Sequence, residues 1–322
     1  MKKNSLSNWG LKYPVIALTL GFGLVSCNDD DDTNPIVETN NVVEVAAANP
    51  EFSTLVAAVE RAELVGTLSG DGPFTVFAPN DEAFARFLSA NNDMTVDELL
   101  ANPDLADILT YHVVSGNIAS GDVETGRVNT VAEAPFFVSR DPDGELWING
   151  NSKIIATDVS ASNGVIHVLE NVITAPTQNI AEIATDMAAS DNPEFTQLVA
   201  ALVRADLVDA FMGGFEDNYT VFAPTDAAFE DLYEALSVNN VEEIDIQTLR
   251  NVLMYHVVEA RAFSQDLTDG EQLETLLVGE SLTVDLDNLQ INDSGLIGES
   301  LNIHATNGVI HVIDKVLLPP MD

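Results

Sequence analysis

The chain has 322 residues, of which 46% are hydrophobic, and this is enough apolar sequence for two cores of ordinary domain size. It contains 52 acidic and 12 basic residues, so its formal net charge at pH 7 is −40. Such a charge repels DNA, RNA and anionic lipid, which argues against a nucleic-acid-binding protein. The acidic residues are spread along the chain rather than clustered. We therefore expect them to maintain solubility rather than to recruit divalent cations.

Residues 1–26 are predicted to be a lipoprotein signal peptide. Lys2 and Lys3 precede a run of twelve mostly apolar residues, 14–25, which is too short to span a bilayer comfortably and fits the apolar region of a signal peptide. Cys27 follows the signal peptide directly and resembles the lipidated cysteine of a bacterial lipobox. It is the only cysteine, so no intrachain disulfide can form. The alternative is an unpaired thiol beside an ordinary cleavage site.

Residues 27–41 are predicted to be an acidic tether. Four consecutive aspartates occupy positions 29–32, and repulsion between like charges keeps such a stretch extended. The stretch is either a spacer or an export signal, since it resembles the acidic export tag of Bacteroidetes surface lipoproteins. Removal of the three signal-peptide lysines leaves nine basic against 52 acidic residues, a net charge near −43. No later segment is apolar enough to cross a membrane, so we expect membrane contact through the lipid anchor only, at the outer membrane or cell surface.

The rest of the chain contains one domain twice. Four segments recur in the same order at offsets of 143 to 145 positions: 49–52 at 192–195, 74–84 at 219–229, 111–114 at 255–258, and 163–168 at 307–312. This offset is too long for a solenoid repeat and matches the size of an independent domain. We therefore predict two domains, copy one over residues 42–176 and copy two over residues 178–320.

Each copy is predicted to begin with helices. Asn49 is a good N-cap, Pro50 suits the first helical position, and Glu51 complements the helix dipole. Apolar residues then recur at helical spacing in both copies, which indicates a core-facing helix. The two stripes are Phe52, Leu55, Val56, Val59 and Ala62 in copy one, and Phe195, Leu198, Val199, Leu202 and Ala205 in copy two. A second helix is predicted over about 95–109, ending before Tyr111.

A strand followed by a helix is predicted at each Phe-Ala-Pro sequence, residues 77–79 and 222–224. The segment 74–77 is β-branched and aromatic, which is typical of a strand, and Ala78 stays extended because a proline follows it. Asn80 in copy one and Thr225 in copy two are placed to cap the next helix. The turn has no serine or cysteine at its apex and no phosphate-binding glycines, so we interpret it as structural rather than catalytic.

Short strands are predicted in the second half of each copy. Segments 136–138 and 145–148 flank the turn sequence Asp-Pro-Asp-Gly at 141–144, which favours a hairpin. A second tight hairpin is predicted at Asn163-Gly164. The matching strand segments of copy two are 281–284, 289–291 and 309–312. Helices that precede strands indicate an α+β fold with small antiparallel sheets.

The repeated segments resemble the sequence boxes of the fasciclin family. The first box corresponds to 74–84 and 219–229, the tyrosine–histidine pair to 111–112 and 255–256, and the second box to 163–172 and 307–317. The resemblance implies that each copy is a wedge-shaped antiparallel β-sandwich flanked by helices. We expect the motif residues to be structural: Thr75, Phe77, Pro79, Asp81, Phe84, Tyr111, His112, Asn163, Gly164 and His167, and Thr220, Phe222, Pro224, Asp226, Phe229, Tyr255, His256, Asn307, Gly308 and His311.

The resemblance also implies a candidate adhesion contact. Some animal members of the family carry an integrin-contacting Asp-Ile pair just upstream of the second box. In that register copy one has Asp158-Val159, and copy two has Asn302-Ile303, which lacks the charge. The alternative is that both pairs are ordinary loop-to-strand residues, and we favour it because nothing else in the sequence indicates an animal integrin partner.

No pattern of catalytic or metal-ligating residues is recognisable. Four of the five histidines lie in the repeated boxes among valines and isoleucines, where an imidazole is more often a core residue than a base or a ligand. Residues 141–145 resemble a calcium loop only weakly, because the twelve-residue spacing and the distal glutamate are missing. We therefore expect no cofactor, no metal and no enzymatic activity.

The leading hypothesis is a non-enzymatic, lipid-anchored adhesion module. The fasciclin resemblance implies contacts with extracellular matrix, with polysaccharide or with a protein of a neighbouring surface. A first alternative is a glycan-binding accessory protein of a surface polysaccharide system. A second is a hydrolase that uses two of the many carboxylates, although sequence alone places no two of them at the required separation.

Overall fold

We describe residues 39–320 in a computed structural model. The predicted signal peptide, Cys27 and most of the predicted tether lie outside these residues. Copy one forms helices α1 (Val42–Ala48), α2 (Ser53–Arg61), α3 (Val65–Leu68), α4 (Asp81–Ala90), α5 (Val96–Leu100) and α6 (Leu105–Tyr111). Its strands are β1 (Phe74–Pro79), β2 (Val113–Ser115), β3 (Gly126–Asn129), β4 (Pro135–Arg140), β5 (Leu146–Ile148), β6 (Ser152–Ala161) and β7 (Gly164–Leu169).

Copy two repeats this order of elements. Its helices are α7 (Ile180–Ala188), α8 (Thr196–Ala205), α9 (Asp226–Leu236) and α10 (Ile246–Tyr255). Its strands are β8 (Tyr219–Pro224), β9 (Val257–Val258), β10 (Gln272–Glu274), β11 (Ser281–Asp285), β12 (Gln290–Ile291), β13 (Ser294–Gly295), β14 (Ile303–Ala305) and β15 (Gly308–Ile313). Single 3₁₀ turns form at Pro50–Phe52, Ser120–Asp122, Val208–Phe211, Val241–Glu243 and Gly298–Ser300.

In each copy the first strand pairs with the last strand, β1 with β7 and β8 with β15. Copy one has a seven-stranded sheet in the order β2-β1-β7-β6-β5-β4-β3, and copy two has sheets in the orders β14-β15-β8-β9 and β10-β11-β12-β13. The α+β class is confirmed, but β1–β7 and β8–β15 are parallel, which departs from the antiparallel arrangement expected throughout. Helices separate the partner strands along the chain, so a crossover rather than a hairpin joins them and parallel pairing is allowed.

Local turn and cap chemistry explains most element ends. The hairpins predicted around 141–144 and 163–164 are confirmed as the β4–β5 and β6–β7 pairs. The Asn80 side chain accepts a hydrogen bond from the Ala83 amide, and Thr225 caps α9 in the same way, as predicted. Asn49 caps the short 3₁₀ turn that leads into α2.

The predicted helix over 95–109 is wrong in two respects. The segment forms two helices, α5 and α6, and α6 continues through Tyr111. Pro103 lies in the break, where it lacks an amide proton and disfavours helical geometry at the residue before it. Both α5 and α6 contact α2.

Each copy encloses its own apolar interior. In copy one the helices and the inner strand residues pack around Phe52, Phe84 and Leu99, and a second cluster fills the sheet side. Copy two has two corresponding clusters, and neither contains a residue of copy one. A small fifth cluster joins the copies through Phe137, Phe263 and Val309.

Candidate functional site

The aspartate of each first box caps a helix that is distant in sequence. The Asp81 carboxylate accepts hydrogen bonds from the Thr54 amide at 2.8 Å and from the Ser53 hydroxyl at 2.6 Å, at the start of α2. Burial acts to raise the pKa of Asp81, but these hydrogen bonds outweigh it and the pKa lies below its usual value. The matching bonds of copy two join Asp226 to Thr196 and Gln197. Each aspartate thus joins the first-box helix to the preceding core helix.

The threonine of each first box bridges two backbone groups inside the protein. The Thr75 hydroxyl donates to the Gly116 carbonyl at 2.8 Å and accepts from the Ile118 amide at 2.9 Å. Thr220 makes the same pair of bonds to Ala260 and Ala262. Both side chains are fully buried, so neither hydroxyl is presented to a partner.

The Tyr-His histidines are kept neutral by burial and are bonded to the main chain. His112 donates from Nδ1 to the Ile108 carbonyl and accepts at Nε2 from the Ile173 amide. His256 repeats this with Val252 and Leu317. Burial lowers the pKa of each imidazole to about 4. Both nitrogens are therefore occupied, and neither ring is free to transfer a proton.

The neighbouring tyrosines anchor the sheet. The Tyr111 hydroxyl donates to the Pro135 carbonyl at 3.0 Å and accepts from the Asn149 side-chain amide at 3.1 Å. In copy two, Tyr255 makes the same contacts with Ser281 and Asn292. Burial raises the pKa of Tyr111, so the phenol stays protonated. Sequence reasoning missed Asn149 and Asn292, whose positive φ values of 50° and 53° are their local mark.

The second-box asparagines tie the first helix of each copy to a hairpin. Asn163 accepts from the Val42 amide and donates to the Leu68 and Gly70 carbonyls. Asn307 likewise accepts from the Ile180 amide and donates to the Phe211 carbonyl. The glycine that follows allows close strand approach, since a Cβ at Gly164 would lie 2.0 Å from the Phe74 oxygen. The same clash, at 2.3 Å, would arise at Gly308 against Tyr219.

The candidate adhesion residues lie beside the second-box histidines. Asp158 and Asn302 both have positive φ, 60° and 57°, and their amides lie 3.3 Å from Nδ1 of His167 and His311. Each histidine hydrogen-bonds through Nε2 to a backbone carbonyl. Burial lowers the pKa of His311 to about 4. The αL residue therefore aims its side chain away from the sheet, toward the Ser120–Asp122 turn or its counterpart.

The two copies place this αL side chain in opposite environments. Asp158 is exposed and accepts from the amide and hydroxyl of Ser120; these bonds lower the pKa of its carboxyl. The Asn302 side chain also accepts from the amide of a serine, Ser264, but it donates to the hydroxyl of that serine, and it is only 4% exposed because copy one covers it. Val159 is exposed and Ile303 is half-buried. Asn302 is thus unavailable to an external partner in this arrangement of the copies.

A polar and aromatic interface joins the copies. The Asn302 side chain donates to the Gly150 carbonyl at 3.0 Å, and the Asn151 side chain donates back to the Asn302 carbonyl at 3.0 Å. The Arg261 guanidinium lies 4.2 Å from the centre of the Phe137 ring. Burial lowers the pKa of Arg261 to about 10, so the guanidinium keeps its charge at neutral pH.

Sequence reasoning did not single out Arg261 and Phe263 as interface residues. They occupy the positions of Asn117 and Ala119 in copy one, at the common offset of 144. Copy two therefore has a cation and an aromatic ring where copy one has neither. This difference was the sequence signal that could have identified them as interface residues. Ser139 of copy one adds a further bond across the interface, its hydroxyl donating to the Asp266 carboxylate at 2.9 Å.

His304 lies at this interface with an unpartnered nitrogen. Its ring packs against Phe137 and Phe263 at centroid distances of 5.8 and 5.5 Å. Its Nε2 is buried and has no hydrogen-bond partner among the described residues. Burial, with the nearby charge of Arg261, lowers the pKa of His304 to about 3, so the ring is neutral. An orphaned polar atom of this kind is costly and calls for a physical explanation.

Residues 39–320 contain neither a cluster of metal-ligating side chains nor a single helix suited to cross a membrane. No three or more His, Cys, Asp or Glu side chains in this range are grouped so that they could hold a metal ion. In the same range no single helix has the length and apolar composition to cross a membrane. The segments Val42–Ala48 and Pro50–Arg61 together meet those criteria but are bent by 106°.

The duplicated boxes and their contacts agree with a known domain family. The family model described as the fasciclin domain matches residues 50–175 and 193–319. The chain belongs to the fasciclin family. The matches begin after α1 and α7, although Asn163 and Asn307 bond both helices to the fasciclin domains that follow them.

Three relatives show how the similarity is distributed. Protein sll1483 of Synechocystis is 50% identical over 139 residues, which are 42% of this chain and 73% of that protein. Transforming growth factor-beta-induced protein ig-h3 of Sus scrofa is 28% identical over 288 residues, 88% of this chain and 40% of its own length. Cell surface glycolipoprotein MPB83 of Mycobacterium bovis is 38% identical over 140 residues, 41% of this chain and 59% of MPB83. The chain thus spans less than two thirds of the length of ig-h3 and MPB83.

Proposed function

We propose that this fasciclin protein is a non-enzymatic adhesion module held at the cell surface by lipidated Cys27. The observation that carries the proposal is the pair of fasciclin domains joined through a specific interface. The similarity to a cell surface glycolipoprotein supports the surface location. Two domains on one anchor raise avidity toward matrix, polysaccharide or a neighbouring cell without a tight single site.

The bonding of the box histidines supports binding rather than catalysis. A general base needs a free nitrogen within hydrogen-bond reach of the proton that it takes. In His112 and His256 one nitrogen donates to a carbonyl and the other accepts from an amide. His167 and His311 are bonded to the backbone in the same double manner.

The proposed domain boundaries are 42–176 and 178–320. They include α1 and α7, because each helix begins at an amide that donates to the second-box asparagine of its own copy. Within copy one, Asp158 and Val159 form the accessible adhesion candidate. The Asp158 carboxylate is engaged by Ser120, so a partner would compete with that turn for it.

Deletion and anchor variants test the proposal. We expect cells that lack the gene to bind matrix proteins, purified polysaccharide or neighbouring cells less than wild type does, with complementation restoring binding. Cys27→Ser should lose metabolic labelling by palmitate and release the protein from the membrane fraction. Protease added to intact cells should degrade the wild-type protein. Unchanged adhesion of the deletion strain to all three surfaces would refute the adhesive role.

A further inference from the structure

A half-open cleft lies between the two copies. Its volume is about 350 Å³, within the range of roughly 300 to 1,000 Å³ that holds small ligands. Copy one lines it with residues of 148–152 and 171–176, and copy two closes it with residues 301–304. The cleft therefore requires both copies and the interface that joins them.

The lining is uncharged in a strongly acidic protein. Within the described residues, none of the side chains that line this cleft is an Asp, Glu, Lys or Arg, although the chain has 52 acidic residues. His304 is also neutral, as its lowered pKa shows. A second cleft of similar volume, about 360 Å³, lies in copy one and is lined by Asp122, Glu124 and Arg127. The cleft between the copies thus differs in charge from the cleft of copy one that has a similar volume.

Several polar groups of the lining have no hydrogen bond to the described protein. The Ser152 hydroxyl is used, since it donates to the Asn171 carbonyl and accepts from its amide. Asn151 and Asn171 each donate from the side-chain amide, which leaves their Oδ1 atoms without a partner among residues 39–320. In the same range the Thr174 hydroxyl forms no hydrogen bond to a protein atom, and the buried Nε2 of His304 has no partner either.

Apolar side chains complete the walls of the cleft. They are Ile148, Val172, Ile173, Pro176, Leu301 and Ile303. A ligand that fits must therefore offer hydroxyl donors to amide oxygens and an apolar face to these side chains. An anion is repelled by the net charge of −40, and a cation would meet no carboxylate in the cleft.

We propose that the cleft between the copies binds a neutral saccharide unit. A pyranose ring has hydroxyl groups around its edge and C–H groups on its faces, which match the amide oxygens and the apolar walls. Asn151, Asn171 and Thr174 hydrogen-bond the hydroxyl groups, while His304, whose Nε2 is buried, lines the cleft without a bond to the ligand. The inference rests on the proposed surface function for access to glycans, while its geometry stands on the cleft alone.

The experiment uses the full chain and two variants of the lining. An array of neutral gluco-, galacto- and manno-oligosaccharides, with sulfated and uronic-acid oligosaccharides beside them, is probed first. The strongest neutral oligosaccharide is then titrated calorimetrically against wild type, Thr174→Val and His304→Phe. Thr125→Val is the matched control, because it makes the same change in the charged cleft of copy one.

We expect neutral oligosaccharides to bind and the acidic ones not to bind. Thr174→Val should weaken binding by about fivefold or more, the loss that one hydrogen bond of about 1 kcal/mol produces, while His304→Phe, which changes a buried nitrogen, and Thr125→Val bind as wild type does. His304→Phe should unfold at no lower temperature than wild type, because it removes an unpartnered buried nitrogen.

Three results would overturn the inference. They are an array without neutral hits, an array with acidic hits only, and equal affinities of wild type and Thr174→Val. If adhesion still falls in the deletion strain, these results reject the saccharide site and leave the adhesive function in place. If adhesion does not fall while the titrations succeed, the adhesive function fails instead.

Discussion

Asn302→Asp tests the contact that distinguishes the two copies. The change is minimal, because copy one already has an aspartate, Asp158, at the corresponding position. The introduced carboxylate can still accept from the Ser264 amide, as Asp158 does from Ser120, but the Ser264 hydroxyl, which now accepts from the Asn302 side chain, would have to turn to donate to it. It cannot donate to the Gly150 carbonyl, which now lies 3.0 Å from the side-chain amide of Asn302. The variant therefore places a buried negative charge against a carbonyl oxygen.

The magnitude follows from the lost bond and the buried charge. Loss of one hydrogen bond costs about 1 kcal/mol, and an unsatisfied buried group adds about 1 to 3 kcal/mol. We expect the free energy of unfolding at pH 7 to fall by about 2 to 4 kcal/mol. Burial raises the pKa of the introduced carboxyl above its unfolded value, so the loss is complete above the folded pKa. It disappears as the pH falls below the unfolded value of about 4, where the protonated group can donate to Gly150.

Urea unfolding at pH 7 and small-angle X-ray scattering measure the two consequences. The radius of gyration measured by scattering should increase if the copies separate. Trp147, on β5 of copy one, gives a fluorescence signal close to the interface. Asp158→Asn is the matched control, because that side chain is exposed, and its effect should stay within about 0.5 kcal/mol. Equal stability of wild type and Asn302→Asp at pH 7, or an equal loss in Asp158→Asn, would show that the interface contact has been misread.

Three further predictions concern the duplicated motif. Asp81→Ala removes two hydrogen bonds at the start of α2 and should lower the free energy of unfolding by about 1 to 2 kcal/mol in urea, whereas Asp81→Asn, which keeps an acceptor, should lose less. Thr75→Val keeps the side-chain volume but leaves the Gly116 carbonyl and the Ile118 amide unbonded, so a loss of about 1 to 3 kcal/mol is expected, and a silent variant would contradict the bridging role. The lowered histidine pKa values, near 4 for His112 and His256 against about 6.5 unfolded, mean that the unfolded state binds more protons between these values. Stability should therefore fall as the pH drops from about 6.5 to 4, as followed by circular dichroism, and a flat profile in that window would refute neutral burial.

Much of the fold could be predicted from the sequence because caps and turns depend on residues that are close together in the chain. Asn80 caps α4 three residues away, and the turn at 141–144 closes the hairpin on either side of it. The repeat could be recognised because both copies retain the residues that form equivalent hydrogen bonds, such as Asp81 and Asp226. The break at Pro103 was also local, and the prediction of one continuous helix overlooked it.

The candidate site could not be predicted in the same way, because the residues that form it are far apart in the chain. The cleft joins residues near 150, 174 and 303, and no periodicity links them. Arg261 and Phe263 acquire a role only when copy one presents Phe137 to them. The parallel pairing of β1 with β7 likewise depends on how the helices between them pack.

The amino-acid sequence by itself determined that there are two fasciclin domains, that Asn80 and Thr225 cap the helices after the first boxes, and that hairpins form at 141–144 and 163–164. These properties follow from interactions over a few residues, which the chain specifies directly. Only the tertiary structure decided that Asp158 is exposed while its counterpart Asn302 is buried. The physical reason is that burial depends on what packs against a residue, and Gly150 lies 152 positions before Asn302 in the chain.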